Sequence, residues 1–303
     1  MKKISFILLI SFIMISCGDN KYEAKNPNEI ETMNSGKLSV VVDDAVKGII
    51  DSGLVMYSKD YEKVLLTKDF KNARETMQQL LAGNSRVVVI ARDYLRDEDS
   101  LMTEYKVKKH ERMKIATDAL VLFTNKNYPI DTLNVNQVKD IFQNGKKLSE
   151  LFKINGLAKY YINDVNSSVF SNFKKYILED NPLGISLNYI NSLDSLKDEV
   201  YNNNGIGIAL LSQVFGDDRF KMIELGYYDT NNVYISPKPV HQAYIVQGKY
   251  PYPVDIWVYL LEFRRNLPFW FASYLAKENK YQTVILEKGI VPEFARFELT
   301  PEK

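Results

Sequence analysis

The chain has 303 residues, with 39 basic and 38 acidic side chains, one cysteine and two histidines. A nucleic-acid-binding surface needs a strong basic excess, so this even balance argues against a nucleic-acid partner. A single cysteine cannot form an internal disulfide, and stability must come from a packed core, for which the chain is long enough. The two histidines stand apart from any cluster of metal-ligand residues, which argues against a zinc site or a Cys–His catalytic pair.

The N-terminus has the pattern of a secretory signal. Two lysines precede an apolar run over residues 4–15, which is shorter than the roughly 20 residues of a membrane-spanning helix. We therefore predict a signal peptide over residues 1–16. Ser16 before Cys17 resembles a bacterial lipobox, with Met14 where leucine is usual; the resemblance implies cleavage before Cys17 and lipidation of its thiol. An ordinary signal peptide that contains a cysteine is the alternative.

Residues 17–35 are polar beyond the cysteine and lack an apolar period, which predicts a flexible tether. From there on, strand and helix patterns alternate along the chain. Strand patterns cover Leu38–Val42, Lys63–Leu66, Arg86–Ala91, Lys114–Thr124, Tyr160–Ile162, Ile206–Leu211 and an extended region Val233–Gln247. Helix patterns cover Val46–Tyr61, Phe70–Ala82, Asn136–Asn144, a segment that begins at Ser168, and Trp257–Lys277. This alternation predicts an α/β fold with mostly parallel sheets.

Polar residues follow three of the predicted strands. They are Asp43-Asp44, Ala91-Arg92-Asp93 and Asn166-Ser167-Ser168. In open α/β sheets, ligands bind beyond the carboxyl ends of the strands, so the three segments together predict a cleft site. Each segment has an alternative interpretation as a helix cap, because Asp, Asn and Ser are the preferred N-cap residues.

The motifs of common nucleotide-binding and hydrolytic enzymes are missing from the sequence. The first strand leads directly into Asp43-Asp44-Ala45, without a glycine-rich phosphate loop or a dinucleotide fingerprint. The sequence also contains no Gly-x-Ser-x-Gly segment, the motif that positions a nucleophilic serine. We therefore predict that the protein is not an enzyme and uses no cofactor.

A series of segments resembles a known family. In order, they are LSVVVDDAVKGII, RVVVIARDYLRDED, KIATDALVLFTNKNYPIDTLNVNQVKDIFQNG, NDVNSSVFSNF, EVYNNNGIGIALLSQV, GKYPYPVDIWVYL and KENKYQTVILEKGIVP. Together they resemble the phosphate-binding substrate-binding proteins of phosphate ABC transporters, especially the lipid-anchored branch. The resemblance runs from about Gly36 to Pro292, and IATDALVLFTNKNYP with DIFQNG is its most specific part.

The resemblance implies a two-lobed periplasmic-binding-protein fold of type II, whose lobes are joined by two hinge crossovers and close on a ligand. Residues 36–115 would form the first part of lobe 1 and residues 116–233 would form lobe 2. Residues 234–303 would return to lobe 1 and end in a C-terminal tail. The hinge strands would lie near residues 116–119 and near Ile235.

The family's anion-binding residues transfer only in part. The family has Arg, three residues, then Ser-Gly-Thr at the lobe-2 helix. Here Asn163 takes the position of the arginine, Ser167 matches the serine, and Ser168 and Val169 replace the glycine and threonine. Loss of the arginine removes charge-assisted hydrogen bonds that contribute about 1.5–3 kcal/mol each.

The predicted ligand contacts are therefore a reduced set. Asn166, Ser167, Ser168 and Arg92 would hold the oxygens of the anion, and Asp43 would accept a proton from it. If Asp43 and Asp164 both faced the cleft, an anion between them would be costly at low dielectric.

We expect an extracytoplasmic, lipid-anchored solute-binding protein of the cell envelope that binds phosphate or a related oxyanion for uptake. Its partners would be the anion, membrane lipid through Cys17, and the components of an envelope transporter. The alternative is an interaction or scaffold lipoprotein of a transport complex, which has the same fold and does not bind an anion.

Overall fold

A computed structural model describes residues 31–152, 158–262 and 264–294. The predicted signal peptide, Cys17, most of the predicted tether and the tail from residue 295 lie outside the described residues. Within the described ranges, no helix combines the length and the apolar character that a membrane span requires.

The described residues form one large mixed sheet and one small sheet. The strands are β1 (Gly36–Asp43), β2 (Val64–Lys71), β3 (Val87–Ile90), β4 (Glu111–Asn125), β5 (Thr132–Asn134), β6 (Tyr160–Ile162), β7 (Asn188–Tyr189), β8 (Ile206–Leu210), β9 (Phe220–Met222), β10 (Glu224–Tyr228), β11 (Tyr234–Ile235), β12 (Pro253–Leu260) and β13 (Val291–Pro292). The large sheet has the order β2-β1-β3-β12-β4-β8-β6-β7, with β9 and β13 paired to β4. The small sheet has the order β11-β10-β5.

Parallel and antiparallel pairs occupy different parts of the large sheet. β1 pairs in parallel with β2 and β3 at one end, and β6 pairs in parallel with β7 and β8 at the other. The strands between them, β12 and β4, make antiparallel pairs with their neighbours. The predicted parallel arrangement is therefore found in the two ends, and antiparallel strands join them. We call the β1–β3 end the first lobe and the β6–β8 end the second lobe.

The 15-residue strand β4 belongs to both ends of the sheet. Its first part, up to Ala119, pairs with β12, and its second part, from Leu120, pairs with β8 and β9. The change of partner falls at the end of the segment 116–119 in which the first hinge is predicted. The residue boundaries of the lobes remain a prediction.

The helices cover the faces of the sheet. They are α1 (Lys47–Asp60), α2 (Ala73–Leu81), α3 (Arg96–Glu104), α4 (Val135–Phe142), α5 (Leu148–Leu151), α6 (Ser168–Phe173), α7 (Leu193–Asn202), α8 (Leu211–Val214), α9 (Gln242–Val246), α10 (Leu267–Lys277) and α11 (Asn279–Glu287). A 3₁₀ turn, Asp44–Val46, precedes α1, and a π-helical turn, Lys174–Leu178, follows α6.

Two predicted elements in the last third of the chain are wrong. The predicted helix Trp257–Lys277 is strand β12 followed by helix α10, because Val254, Ile256 and Val258 alternate inward along an extended chain. The predicted extended region Val233–Gln247 is extended only at β11, and it contains helix α9.

Candidate functional site

Asp43 lies at the carboxyl end of β1, where the chain turns into α1. Its backbone is extended, with φ −59° and ψ 125°, and its Oδ1 accepts a hydrogen bond from Ala45 N at 3.0 Å. The carboxylate thus caps the 3₁₀ turn that follows the strand, in agreement with the preference for Asp at such positions.

The second oxygen of the same carboxylate is bound by both lobes. Asp43 Oδ2 accepts from Ala91 N at 3.2 Å, at the end of β3 in the first lobe. It also accepts from the Ser168 hydroxyl, at the start of α6 in the second lobe. We call these three donors, Ala45 N–H, Ala91 N–H and the Ser168 hydroxyl, the cup. Asp43 is 1% exposed and Ser168 is fully buried, so the cup is closed to solvent.

Burial is the largest influence on the Asp43 carboxyl, and it raises the pKa of that group. The hydrogen bonds from Ser168, Ala45 and Ala91, and the charge of Arg92, favour the ionised form and oppose this shift. The carboxylate therefore depends on hydrogen-bond donors rather than on a paired cation: the described residues include no salt bridge to Asp43.

Asn172 on α6 strengthens the contact between the lobes beside the cup. Its Nδ2 donates to Ala91 O at 2.7 Å across the cleft and to Ser168 O at 2.8 Å within the second lobe. Further bonds join the lobes from Arg74 N to Asn166 O at 3.1 Å and from Gln213 Nε2 to Ala45 O at 3.1 Å. The structure is therefore a closed form, in which the two lobes contact each other directly at the cup.

Ser167 and Asn166 have local roles in this closed form. Ser167 Oγ accepts from Phe170 N at 3.1 Å and caps α6. Asn166 is exposed, and its N–H donates to Asp164 Oδ1 at 3.0 Å within the turn before the helix. For Ser167 the structure agrees with the capping alternative, and neither residue contacts Asp43 through a hydrogen bond.

Arg92 does not reach the serines. Its two terminal nitrogens donate to the two oxygens of Glu98, both at 2.8 Å, and the side chains are only 2% and 3% exposed. The same nitrogens also donate to Asp93 O at 2.8 Å and to Ala73 O at 3.0 Å. The Arg92 guanidinium is thus occupied within the first lobe, and only its Nε lacks a partner among the described residues.

Two open spaces lie near the cup. One is a cavity of about 370 Å³, which Asp43 and Asp164 both line. Its charged lining residues are Asp43, Asp44, Lys71, Glu75 and Asp164. The other is a groove of about 680 Å³, which has both basic and acidic residues along its walls, Arg92 among them. An anion would therefore meet several carboxylates in the cavity, which is the cost that the sequence predicts for a cleft lined by Asp43 and Asp164.

Several residues of the site were not predicted from the sequence. The pairing of Glu98 with Arg92 could have been suspected from the sequence. Glu98 is an acid in the first turn of α3, and it lies six residues after Arg92, which follows a buried strand. Asn172 lies one helical turn after Ser168, on the same face of α6. The amides of Ala45 and Ala91 carry no side-chain signal at all, because any residue supplies a backbone N–H.

The described residues contain no group of three or more His, Cys, Asp or Glu side chains placed to hold a metal ion.

Comparisons with known proteins agree with this architecture. Residues 27–279 match the PBP superfamily domain. No curated protein matches the chain by sequence.

Three solved structures illustrate the likeness. One is a protein assigned as a phosphate ABC transporter substrate-binding protein from Clostridium perfringens, with bound phosphate; the TM-score is 0.68 at 14% identity, over 85% of this chain and 99% of that one. Another is an ABC-type phosphate transport receptor from Vibrio cholerae, with a TM-score of 0.65 at 14% identity, over 84% and 99% of the two chains. A third is PstS from Borrelia burgdorferi, with a TM-score of 0.54 at 14% identity, over 84% and 98%.

Identities this low establish a shared fold and leave the ligand open. The structural neighbours include phosphate-binding proteins of ABC transporters, as the resemblance of the sequence segments predicts. The chain itself belongs to the PBP superfamily, whose domain it matches over most of its length.

Proposed function

We propose that this chain is an extracytoplasmic, lipid-anchored solute-binding protein that binds phosphate or a related oxyanion between its lobes for uptake. The observation that supports the proposal is the cup itself: two backbone amides and one hydroxyl, from three different segments, converge on the carboxylate of Asp43. Such a set of donors around a negatively charged oxygen is the arrangement that an oxyanion requires.

Phosphate would bind by taking the place of the Asp43 carboxylate. The ligand offers oxygens to the same donors, and the cavity of about 370 Å³ beside the cup provides space for the displaced side chain. A displaced Asp43 at the edge of the cup would accept the proton of a protonated phosphate. Sulfate has no such proton at neutral pH, so the same carboxylate would repel it.

Entry of a ligand requires the lobes to separate. The bonds from Ser168 to Asp43, from Asn172 to Ala91 and from Arg74 to Asn166 would break and form again around the ligand. Strand β4, which passes from one lobe to the other, is the natural place for this hinge movement. In this proposal the protein binds and delivers its ligand and does not transform it.

Delivery to a transport system in the cell envelope completes the proposal. Lipid on Cys17 would hold the domain near a membrane-embedded transporter. Growth of the source cells with a radioactive fatty acid tests this part: we expect label on the full-length chain and none on the Cys17→Ser variant. Equal labelling of both chains, or of neither, would refute lipid anchoring at Cys17.

Calorimetry tests the binding proposal. The full-length chain, purified in mild detergent and freed of prebound anion by unfolding and refolding, is titrated with inorganic phosphate and, separately, with sulfate. We expect saturable binding of one phosphate per chain and much weaker binding of sulfate. No heat of binding with millimolar phosphate would overturn the proposal.

A second function is favoured by one observation: the cup is already filled by the chain's own carboxylate. If Asp43 stays there permanently, the chain would act as an interaction lipoprotein of a transport complex. Purification of the full-length chain from membranes distinguishes the two: stable protein partners, with no phosphate in the purified protein, would favour this function.

A further inference from the structure

The Asp43 carboxylate makes the contacts that a bound oxyanion would make. Its oxygens accept three hydrogen bonds, from Ala45 N, Ala91 N and the Ser168 hydroxyl, and all three partners act as donors. The cation whose charge reaches Asp43 is Arg92, and Glu98 holds both of its terminal nitrogens. The oxygens of Asp43 are thus held by neutral donors, in the way that the oxygens of a bound anion would be.

We infer that Asp43 limits how tightly this site binds an anion, because it acts as an internal occupant that an entering anion must displace. This inference rests on the proposed function for its choice of ligand, and it assigns to one residue the weak binding of the native cup. It differs from the role of proton acceptor that the sequence predicts, because an internal occupant competes with the ligand for the same donors.

An entering anion and the Asp43 carboxylate compete for the same donors at close range. Two negative groups cannot share donors a few ångströms apart in a buried site, since their repulsion at low effective dielectric is large. An anion therefore gains the hydrogen bonds of the cup only after the carboxylate has lost them. The free energy of anion binding is therefore the gain from the anion's hydrogen bonds less the loss of those made by Asp43. Because the two sets of bonds are similar, binding to the native chain is weak.

Replacement of Asp43 by serine separates the capping of the turn from the occupation of the cup by a carboxylate. A serine hydroxyl retains the ability to cap the turn at Ala45 N, since Ser and Asp are comparable caps. It removes the negative charge, and it is too short to reach both Ala91 N and the Ser168 hydroxyl. The Asp43→Ser variant should therefore leave an empty cup with its donors in place.

Asp44 provides a matched control. It is adjacent in sequence, lines the same cavity, and has its pKa raised by partial burial, as Asp43 does. None of the three bonds of the cup involves its side chain. Asp44→Ser therefore removes the same formal charge from the same cavity without emptying the cup.

The experiment compares four full-length chains by calorimetric titration with inorganic phosphate: the native chain, Asp43→Ser, Asp44→Ser, and Asp43→Ser combined with Ser168→Ala. Since one charge-assisted hydrogen bond corresponds to about tenfold or more in affinity, we expect Asp43→Ser to bind phosphate at least about tenfold more tightly than the native chain. Asp44→Ser should gain much less, because it removes a charge from the cavity but leaves Asp43 in the cup. Addition of Ser168→Ala to Asp43→Ser should remove most of the gain, because the ligand then loses the hydroxyl of the cup.

The outcomes separate this inference from the proposed function. A gain in Asp43→Ser that Ser168→Ala reverses supports the inference, whether or not the native chain binds phosphate. Native binding with no gain in Asp43→Ser overturns the inference and leaves the proposed function intact. No binding by either chain overturns both, and an equal gain in Asp44→Ser assigns the effect to general charge rather than to the cup. If Asp43→Ser proves unfolded by circular dichroism, Asp43→Thr replaces it with the same expected and overturning results.

Discussion

The Ser168 hydroxyl of the second lobe donates a hydrogen bond to the Asp43 carboxylate of the first lobe, and this buried contact is one of those that join the lobes at the cleft. The two residues are 125 positions apart in sequence, and each stands where a strand gives way to a helix. The contact joins the end of β1 to the start of α6, and it holds together the two parts of the fold that would separate for a ligand.

Ser168→Ala removes the one donor that the second lobe supplies to Asp43. The buried carboxylate would keep its two backbone donors and lose its third, and we expect the free energy of unfolding to fall by about 1–3 kcal/mol. Urea denaturation measures this change. Ser171→Ala is the control, because its hydroxyl donates only to Ser167 O within the second lobe and it should have a smaller effect. Equal losses in both variants would contradict a special role for the interlobe contact.

Glu98→Ala leaves the buried guanidinium of Arg92 without its carboxylate. Since removal of one partner of a buried ion pair typically costs about 3–5 kcal/mol, we expect a loss of that size in the free energy of unfolding. Asp97→Ala, which removes an exposed partner of Arg74, should cost less than about 1 kcal/mol.

The double variant Arg92→Met with Glu98→Leu checks the cause of that loss. It removes both charges and keeps apolar volume, so it should be more stable than Glu98→Ala. A double variant that is less stable than the single one would show that the Arg92–Glu98 pair contributes more through its bonds to Ala73 and Asp93 than through charge neutralisation.

The sequence predicts where Asp43, Arg92 and Ser168 lie relative to strands and helices, but it does not predict their partners. Their positions follow from local patterns, because buried β-branched runs and capping residues are visible in the sequence. The partners of these side chains are not visible, because they depend on how elements distant in sequence pack. Glu98 binds the arginine that the sequence predicts as a ligand contact, and the Ser168 hydroxyl donates to Asp43.

Asp118 in β4 predicts a dependence of stability on pH. It is fully buried, and burial raises the pKa of its carboxyl to about 6, although bonds from Ser212 and Ala119 oppose the shift. Between about pH 4 and pH 6 the folded chain holds a proton that the unfolded chain has lost. The contribution of Asp118 to stability is therefore full below about pH 4, falls as the pH rises, and is lost above pH 6.

Asp118→Asn isolates this contribution. The asparagine oxygen can still accept from Ala119 N and Ser212 N, as Asp118 Oδ1 does, while the charge is removed. We expect the native chain to lose on the order of 3 kcal/mol relative to Asp118→Asn between pH 4 and pH 7. Urea denaturation of both chains across this range measures the difference. Parallel stability curves would contradict the expected titration.

Gly207 in β8 leaves no space for a side chain. A Cβ at this position would lie 2.3 Å from Phe123 Cε1 and 2.8 Å from Val200 Cγ2, inside the core of the second lobe. We expect Gly207→Ala to lower the free energy of unfolding by about 1–3 kcal/mol, through forced movement of these side chains. Gly48→Ala in α1 is the control, because nothing lies within 4 Å of its Cβ, and it should be neutral or slightly stabilising. Similar losses in both variants would contradict the packing explanation.

The sequence predicts the α/β fold better than it predicts the residues at which individual strands and helices begin and end. Most elements predicted for the first two thirds of the chain are found, since continuous apolar runs such as those in β3 and β8 have few alternative structures. Helices α3 and α7 were not predicted, and β2 extends to Lys71, into the predicted helix Phe70–Ala82. The error at residues 257–277 arose because Trp257, Tyr259 and Leu260 belong to an apolar stretch that continues into α10 after a short polar turn. The spacing of buried apolar residues changes at that turn from every second residue, as in a strand, to every 3.6 residues, as in a helix. Apolar composition alone does not reveal this change.

Displacement of Asp43 by phosphate is tested most directly by a crystal structure of the native chain grown with millimolar phosphate. We expect phosphate oxygens on Ala45 N, Ala91 N and the Ser168 hydroxyl, with the Asp43 side chain turned into the adjoining cavity. A structure at the same phosphate concentration in which Asp43 still accepts from those three donors, with no anion between the lobes, would refute displacement.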